Sequence, residues 1–184
     1  IDALRAACPE LTIVGDREPG VLMEARATKD SQEIARIRAI GTQCTAIFGE
    51  LKAYLAAQRL VRGNLVDRSG KPVTIGAVKA WVSRRLAELG PEMPEGMIFS
   101  AGRDAGIPHS VGDDAETLRE GTAIIFDFYP QERGGGYFYD ITRTWCLGFA
   151  PDRVQKASDD VLAAYRAAAE KAAAGVPCRA LQQL

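Results

Sequence analysis

The sequence predicts an α+β fold in which an antiparallel sheet is covered by helices on one face. Three features point that way. Apolar residues recur three and four apart over 34–55, 75–89 and 154–172, the period falls to two over 123–129 and 137–147, and the glycine-rich segment 131–136 joins those two strand-like runs. With 184 residues, 47% of them hydrophobic, and a formal net charge of −1, the chain has the profile of a soluble globular protein. One compact domain with a short extra piece is the expectation for that length.

Residues 1–27 read as the tail of an upstream domain plus a linker, with a short apolar stretch at 11–14, turn residues after it, and a second apolar run at 21–23. The first strong signal is Asp30 with Glu33 three residues later, the spacing of a capping box, so a long helix starts there. Ile34, Ile37, Gly41, Cys44, Phe48, Leu51 and Leu55 form its apolar stripe, and a Gly/Pro/Asp-rich loop at 63–72 ends it. Thr74 caps a second helix with Ile75, Val78, Val82 and Leu89 on one side and Gly90 as the stop. A strand is expected at 97–101. After the two period-two runs, Pro151 opens a third helix with Val154, Val161, Tyr165, Ala168 and Ala172 on a common side and Gly175 at its end. Pro177 breaks the chain before a last helical start at 179–184.

Composition excludes several function classes. The 23 basic and 24 acidic residues are interspersed, so no cationic face of the kind a nucleic acid requires is expected. No apolar run approaches the roughly 20 residues that span a bilayer, and no signal-peptide pattern opens the chain, which fits a protein without a membrane partner. Cys8, Cys44, Cys146 and Cys178 never fall into close pairs. They read as buried small hydrophobes in a reducing compartment, hence a cytoplasmic protein. The chain opens at Ile1 and stops inside an element, so it is expected to be a fragment; a homodimer stays open.

The most informative feature is a pair of aspartates, Asp127 in AIIFDFY and Asp140 in GYFYDITRTW. If they oppose each other across a hairpin, the turn is centred between Arg133 and Gly134, inside the glycine-rich segment where reversal is easiest. Alternation then places Ile125, Asp127 and Tyr129 on one face with Phe138, Asp140, Thr142 and Thr144. The other face receives Ile124, Phe126 and Phe128 with Tyr137, Tyr139, Ile141 and Trp145, an apolar surface suited to lie under helices. Opposed residues bring their Cβ atoms to about 5 Å, and two like charges there destabilise the sheet. A shared proton, an arginine such as Arg143 or a bound cation would relieve the repulsion. Arg143 has the wrong parity for the same face. A divalent cation is the simplest answer, because carboxylate oxygens suit Mn, Mg and related ions.

His109, the only histidine, lies in the loop GIPHSVGDD. On composition alone a lone histidine is more often a satisfied polar residue than a catalytic one. Asp113 and Asp114 just beyond it read as a solvated turn.

Taken together, IFSAGRDAGIPHS, LREGTAIIFDFYP and GYFYDITRTWCLG resemble the signature of the family that contains methionine aminopeptidase, Xaa-Pro aminopeptidase, prolidase and creatinase. TKDSQEIARIRAIG is similar to the helix with which that family's catalytic domain begins. The resemblance covers residues 28–184 and implies the first half of a pita-bread catalytic domain. It makes Asp127 the first metal carboxylate and Asp140 the second, bridging two ions, with His109 contacting substrate and no metal. It gives Thr142 a supporting place, orienting Asp140 or the bridging water.

The implied cofactors are two divalent ions, Mn first, with Co or Zn as alternatives. The implied reaction is hydrolysis of the N-terminal bond of a peptide substrate by a hydroxide held between the ions, with an Xaa-Pro aminopeptidase or dipeptidase preference. The family also uses a second histidine and two glutamates from the second half of the domain. Only Asp152, Asp159, Asp160 and Glu170 follow Leu147 as acids, all on the third helix, so the fragment alone is expected to bind metal weakly and to be inactive. Two other readings stay in view: a creatinase-like hydrolase that works without metal, and a pita-bread binding module that has lost catalysis.

Overall fold

A computed structural model of the chain describes residues 1–13 and 20–183. Val14, the turn residues expected after it and Leu184 lie outside the described residues. The backbone divides into two compact units, Ile1–Ala39 and Ile40–Leu184.

The first unit holds helix α1 (Asp2–Ala7), helix α2 (Val21–Ala27) and the opening turns of helix α3 (Ser31–Ala56). The apolar run at 21–23 therefore belongs to a helix. VLMEARA consists largely of strong helix formers, but seven residues are too few to show a period. The capping box forms as its spacing predicts. Asp30 Oδ1 accepts from the backbone N–H of Gln32 and Glu33, both at 2.8 Å, and Glu33 Oε2 accepts from the Asp30 N–H at 2.7 Å. These bonds satisfy helix donors that would otherwise have no partner.

In the second unit α3 buries Ile40, Gly41, Cys44, Ile47, Phe48, Leu51 and Leu55. The loop expected at 63–72 contains instead part of a small hairpin, β1 (Arg59–Val61) with β2 (Asn64–Val66). Its turn residues Arg62 and Gly63 both have positive φ, at 50° and 77°. Three-residue strands, one of them wholly exposed, leave no alternation to read. Helix α4 (Ile75–Leu89) has the caps its sequence predicts: Thr74 Oγ1 accepts from the Ala77 N–H at 3.2 Å, and Gly90 closes it with φ 106°. It buries Ile75, Val78, Val82 and Leu86.

The main sheet has three antiparallel strands, β3 (Ile98–Ala101), β4 (Ala123–Phe128) and β5 (Ile141–Cys146), with β4 in the centre. Ile124, Phe126 and Phe128 of β4 are all at 0% exposure and face α3, where Phe48 stacks on Phe126 at 4.6 Å and meets Phe128 and Trp145 edge-on. Each fully buried phenylalanine contributes about 1.5–3 kcal/mol relative to exposure. The sheet is thus covered by helix on one face, as the alternating pattern predicts, and the opposite face carries Asp127.

The register differs from the predicted one by two residues. Asp127 pairs with Thr142, not Asp140, and Phe128 pairs with Ile141. The turn is centred between Gly134 and Gly135, both at positive φ (79° and 89°). The second strand also starts later than expected, at Ile141 in place of residue 137. Pro130 has no N–H to give, so the ladder there keeps a single bond, Tyr139 N–H to Pro130 O at 3.0 Å. An even shift preserves parity, so the aspartates stay on the same face but sit diagonally.

Helix α5 (Asp152–Lys171) begins after Pro151, as expected, yet none of its residues is buried. Val161 and Tyr165, on the side predicted to pack, are 70% and 68% exposed, because no described element lies over them. Helix α6 (Cys178–Gln182) starts after Pro177. Cys44 is the one fully buried cysteine; Cys8 and Cys146 are half-buried and Cys178 is exposed, against the expectation that all four are buried, since α1 and α6 bury nothing. All four are free thiols.

Gly41 has a close-approach role. A Cβ there would come within 2.5 Å of the Tyr139 ring, whereas a Cβ at Gly49 on the same helix would meet nothing within 4 Å. Alanine is favoured over glycine inside a helix by about 1 kcal/mol, while forcing a methyl into a packed site costs about 1–3 kcal/mol. Gly49→Ala is therefore expected to stabilise the chain and Gly41→Ala to destabilise it, each by roughly 1 kcal/mol in urea unfolding. Equal shifts of the two midpoints in the same direction would show that Tyr139 does not hold its place on α3.

Candidate functional site

The open face of the sheet carries the predicted residues. Asp127 lies in the middle strand, flanked by Ile98 of β3 and Thr142 of β5. Thr142 Oγ1 donates to Asp127 Oδ1 at 2.6 Å. The threonine therefore orients Asp127, where the resemblance had it orienting Asp140 or a water; the two-residue change of register is the reason.

Asp140 stands just before β5, on the face of the sheet that carries Asp127. Partial burial lifts the Asp140 carboxyl above the usual carboxylate range, and the charge and hydrogen bond of Asp127 push it the same way. The like-charge conflict between the two acids thus persists on the open face. Arg143 does not relieve it, since its guanidinium donates to the Thr142 carbonyl at 2.7 Å. Tyr129, the next cleft-side residue along β4, has its phenol raised by burial and then by the charges of Asp127, Glu95 and Asp140.

His109 reaches the same cleft from the loop after β3. A short 3₁₀ turn, Asp104–Gly106, ends at Ile107, which Pro108 restricts to extended backbone (φ −104°, ψ 117°). His109 follows with φ 61°, a left-handed conformation uncommon outside glycine, asparagine, aspartate and histidine. The loop is pressed onto β3 at Gly112, where a Cβ would fall 2.5 Å from the Phe99 carbonyl oxygen. Beyond it Asp113 accepts from the Ala115 N–H and Asp114 pairs with Lys79 at 2.6 Å, so both belong to a surface turn, as expected.

His109, Asp127 and Thr142 line one cleft of about 370 Å³ together with Ile98, Ser100 and Ile125. Asp140 is not in its wall but adjoins it through Asp127. Ser100, 2% exposed, was not singled out from the sequence. The available signal was parity: it is the polar member of β3 on the face shared with Ile98, and Ile98 pairs with Asp127. Among the described residues no three His, Cys, Asp or Glu side chains gather closely enough to hold a metal ion. Two converging carboxylates are nonetheless the hard oxygen donors that divalent cations take, so the donor chemistry fits as part of a ligand set.

The α+β arrangement, an antiparallel sheet with helix on one face, matches the fold of solved pita-bread metallopeptidases. The chain belongs to Metallopeptidase family M24, which matches residues 34–184. Among solved structures it is similar to the X-Pro aminopeptidase of Thermotoga maritima (TM-score 0.75, 23% identity, 98% of this chain and 46% of that one). It is also similar to the prolidase of Pyrococcus horikoshii (0.68, 21%, 86% and 41%) and the Xaa-Pro dipeptidase of Bacillus anthracis (0.67, 20%, 86% and 40%). The chain spans less than half the length of each. No curated protein matches it in sequence. No helix among the described residues is long and apolar enough to cross a membrane.

The raised Asp140 carboxyl gives a signed expectation. A folded acid that holds its proton more tightly than the unfolded one contributes stability at low pH, and that contribution declines as pH climbs from the unfolded value, about 3.9, towards the folded one. Asp127→Asn takes away the neighbouring charge while keeping an accepting oxygen, so the Asp140 titration, followed by carboxyl ¹³C shifts, should move to lower pH. A midpoint that does not move would exclude the charge of Asp127 as a cause.

Proposed function

We propose that the chain is the first half of the catalytic domain of a metal-dependent peptidase acting at the N-terminus of peptides, of the Xaa-Pro aminopeptidase or dipeptidase type. The observation that carries this reading is the placement of Asp127 and Asp140 diagonally on the open sheet face, with Asp127 in the same cleft as His109. Membership of the metallopeptidase family supports it.

Asp127 and Asp140 would hold two divalent ions, Mn being the leading choice. Thr142 fixes the orientation of Asp127 through its 2.6 Å hydrogen bond, leaving the remaining lone pairs to point into the cleft. Ions so held would make a bound water acidic enough to react near neutral pH and would polarise the scissile carbonyl. His109, on a loop fixed by Pro108 and Gly112, presents an imidazole that can donate to the carbonyl oxygen as negative charge develops. The further histidine and two glutamates would come from the rest of the parent protein, which agrees with the share of each solved structure that this chain spans. A cytoplasmic setting belongs to the same reading and is supported by four free cysteines.

Two measurements test it. With Mn²⁺ added, the complete parent should hydrolyse Xaa-Pro dipeptides while these 184 residues alone should not; turnover by the fragment would refute the division of the site. Mn²⁺ titrated into the fragment and followed by paramagnetic broadening of amide signals should show weak binding centred on residues 127 and 140. Asp127→Asn and Asp140→Asn should each weaken it at least about tenfold, since every variant removes a charged ligand. Unchanged binding in both would end the metal reading.

A further inference from the structure

We infer that Glu92, in the segment between α4 and β3, is a positioning residue for Asp140: it clamps the glycine-rich hairpin tip so that this carboxylate comes to rest beside Asp127. The inference rests on the proposed metal role of the two aspartates and names a residue that role needs.

The two acids are held in different ways. Asp127 is paired on both sides, by Ile98 and by Thr142. Asp140 lies outside the β5 ladder, between Ile141, the last paired residue, and Tyr139, whose N–H donates to the Pro130 carbonyl, so the tip at 131–137 feeds directly into the stretch that carries it. That tip is closed by the Glu132 N–H to the Tyr137 carbonyl at 3.1 Å and the Gly135 N–H to the Glu132 carbonyl at 3.2 Å, but its glycines add no packing. Gly134, Gly135 and Gly136 all have positive φ, and a Cβ on Gly134 or Gly135 would meet nothing within 4 Å, so packing does not hold them. Glycine also loses more conformational freedom than any other residue when it is ordered. The loop needs a tether.

Glu92 supplies one from another part of the fold. Its backbone exchanges both hydrogen bonds with Gln131, at 3.0 and 2.9 Å. Its side chain reaches further along the tip: Oε1 accepts from Gln131 Nε2 at 3.0 Å and from the Gly134 backbone N–H at 3.1 Å. One carboxylate oxygen thus joins two points three residues apart and sets the curvature of the turn. Within the tip, Glu132 Oε2 accepts from the Tyr137 N–H at 3.0 Å, and the Tyr139 ring lies against Gly41. The chain then arrives at Asp140. A divalent ion accepts its ligands within a few tenths of an ångström, so a loosened tip would cost metal affinity well before it cost the fold.

The test is Mn²⁺ binding to this chain, read by paramagnetic broadening, in wild type, Glu92→Ala, Glu92→Gln and Val78→Ala. Loss of a group that orients a metal ligand lowers affinity by about 10–100-fold, so Glu92→Ala should raise the half-saturating Mn²⁺ concentration about tenfold or more. The Gly134 amide resonance should move upfield as its acceptor is lost. Glu92→Gln keeps an amide oxygen that can accept both bonds, and should stay within about threefold of wild type. Val78→Ala, a core truncation away from the tip, should lower stability and leave Mn²⁺ affinity unchanged. If Glu92→Ala does not fold, Glu92→Asp, too short to span Gln131 and Gly134, carries the same expectation. Wild-type affinity in the shortened variants, or a Glu92→Gln loss as large as that of Glu92→Ala, would overturn the inference while leaving the metal reading standing. Mn²⁺ binding that ignores Asp127→Asn and Asp140→Asn would bring down the metal reading itself, and this inference with it.

Discussion

The constraint on which the rest depends is the burial of Ile124, Phe126 and Phe128 against α3. A strand has a side-chain period of two, so once these three are committed to the core, Ile125, Asp127 and Tyr129 have no choice but to face the other way. Slipping β4 by one residue would put a carboxylate under Phe48 and three large apolar side chains into water. That cost, several kcal/mol for the phenylalanines alone at about 1.5–3 kcal/mol each, is what places an acidic group on the open face. The site is thus a by-product of core packing, and its chemistry is anchored by residues that never touch it.

The same constraint explains why so much was legible in the sequence. Parity depends only on which residues are apolar, so the face of Asp127 could be read from the string IIFDFY. The helices α3 and α4 were legible for a related reason: their caps, Asp30 with Glu33 and Thr74 with Gly90, are local chemistry, and each cap forms as its residues dictate. Register was not legible, because it depends on the turn. Three consecutive glycines allow the reversal to sit at more than one place, and Pro130 deletes a ladder bond at a position that alternation alone does not mark. Thr142 consequently serves the other aspartate. The β1–β2 hairpin and the helices of the first unit escaped because elements of three to seven residues carry no period to detect.

The histidine loop shows how an unremarkable composition signal gains weight from geometry. From sequence, His109 is a lone polar residue in a surface loop. In the fold, Pro108 straightens the backbone before it, Gly112 lets the chain close down on the Phe99 carbonyl behind it, and its own backbone sits at φ 61°. Residues kept in sparsely populated conformations need surroundings that over-determine them. Here the surroundings bring His109 to the wall of the cleft that Asp127 and Thr142 share. Ser100 belongs to the same wall and was passed over because a single serine in a short strand announces nothing until its partner strand is known.

Helix α5 has a different standing from the rest of the second unit. With no buried residue, it lacks the tertiary contacts that supply most helix stability in proteins. What remains is local: Asp152 near the positive end of the helix dipole, the Lys156–Asp160 pair, the Gln155–Asp159 hydrogen bond and a run of alanines. Such a helix opens and closes on its own, independently of the sheet. Amide protons along α5 should trade with solvent deuterium almost as fast as in an isolated peptide, while those of β4, sealed between two strands and α3, should wait for the whole unit to unfold.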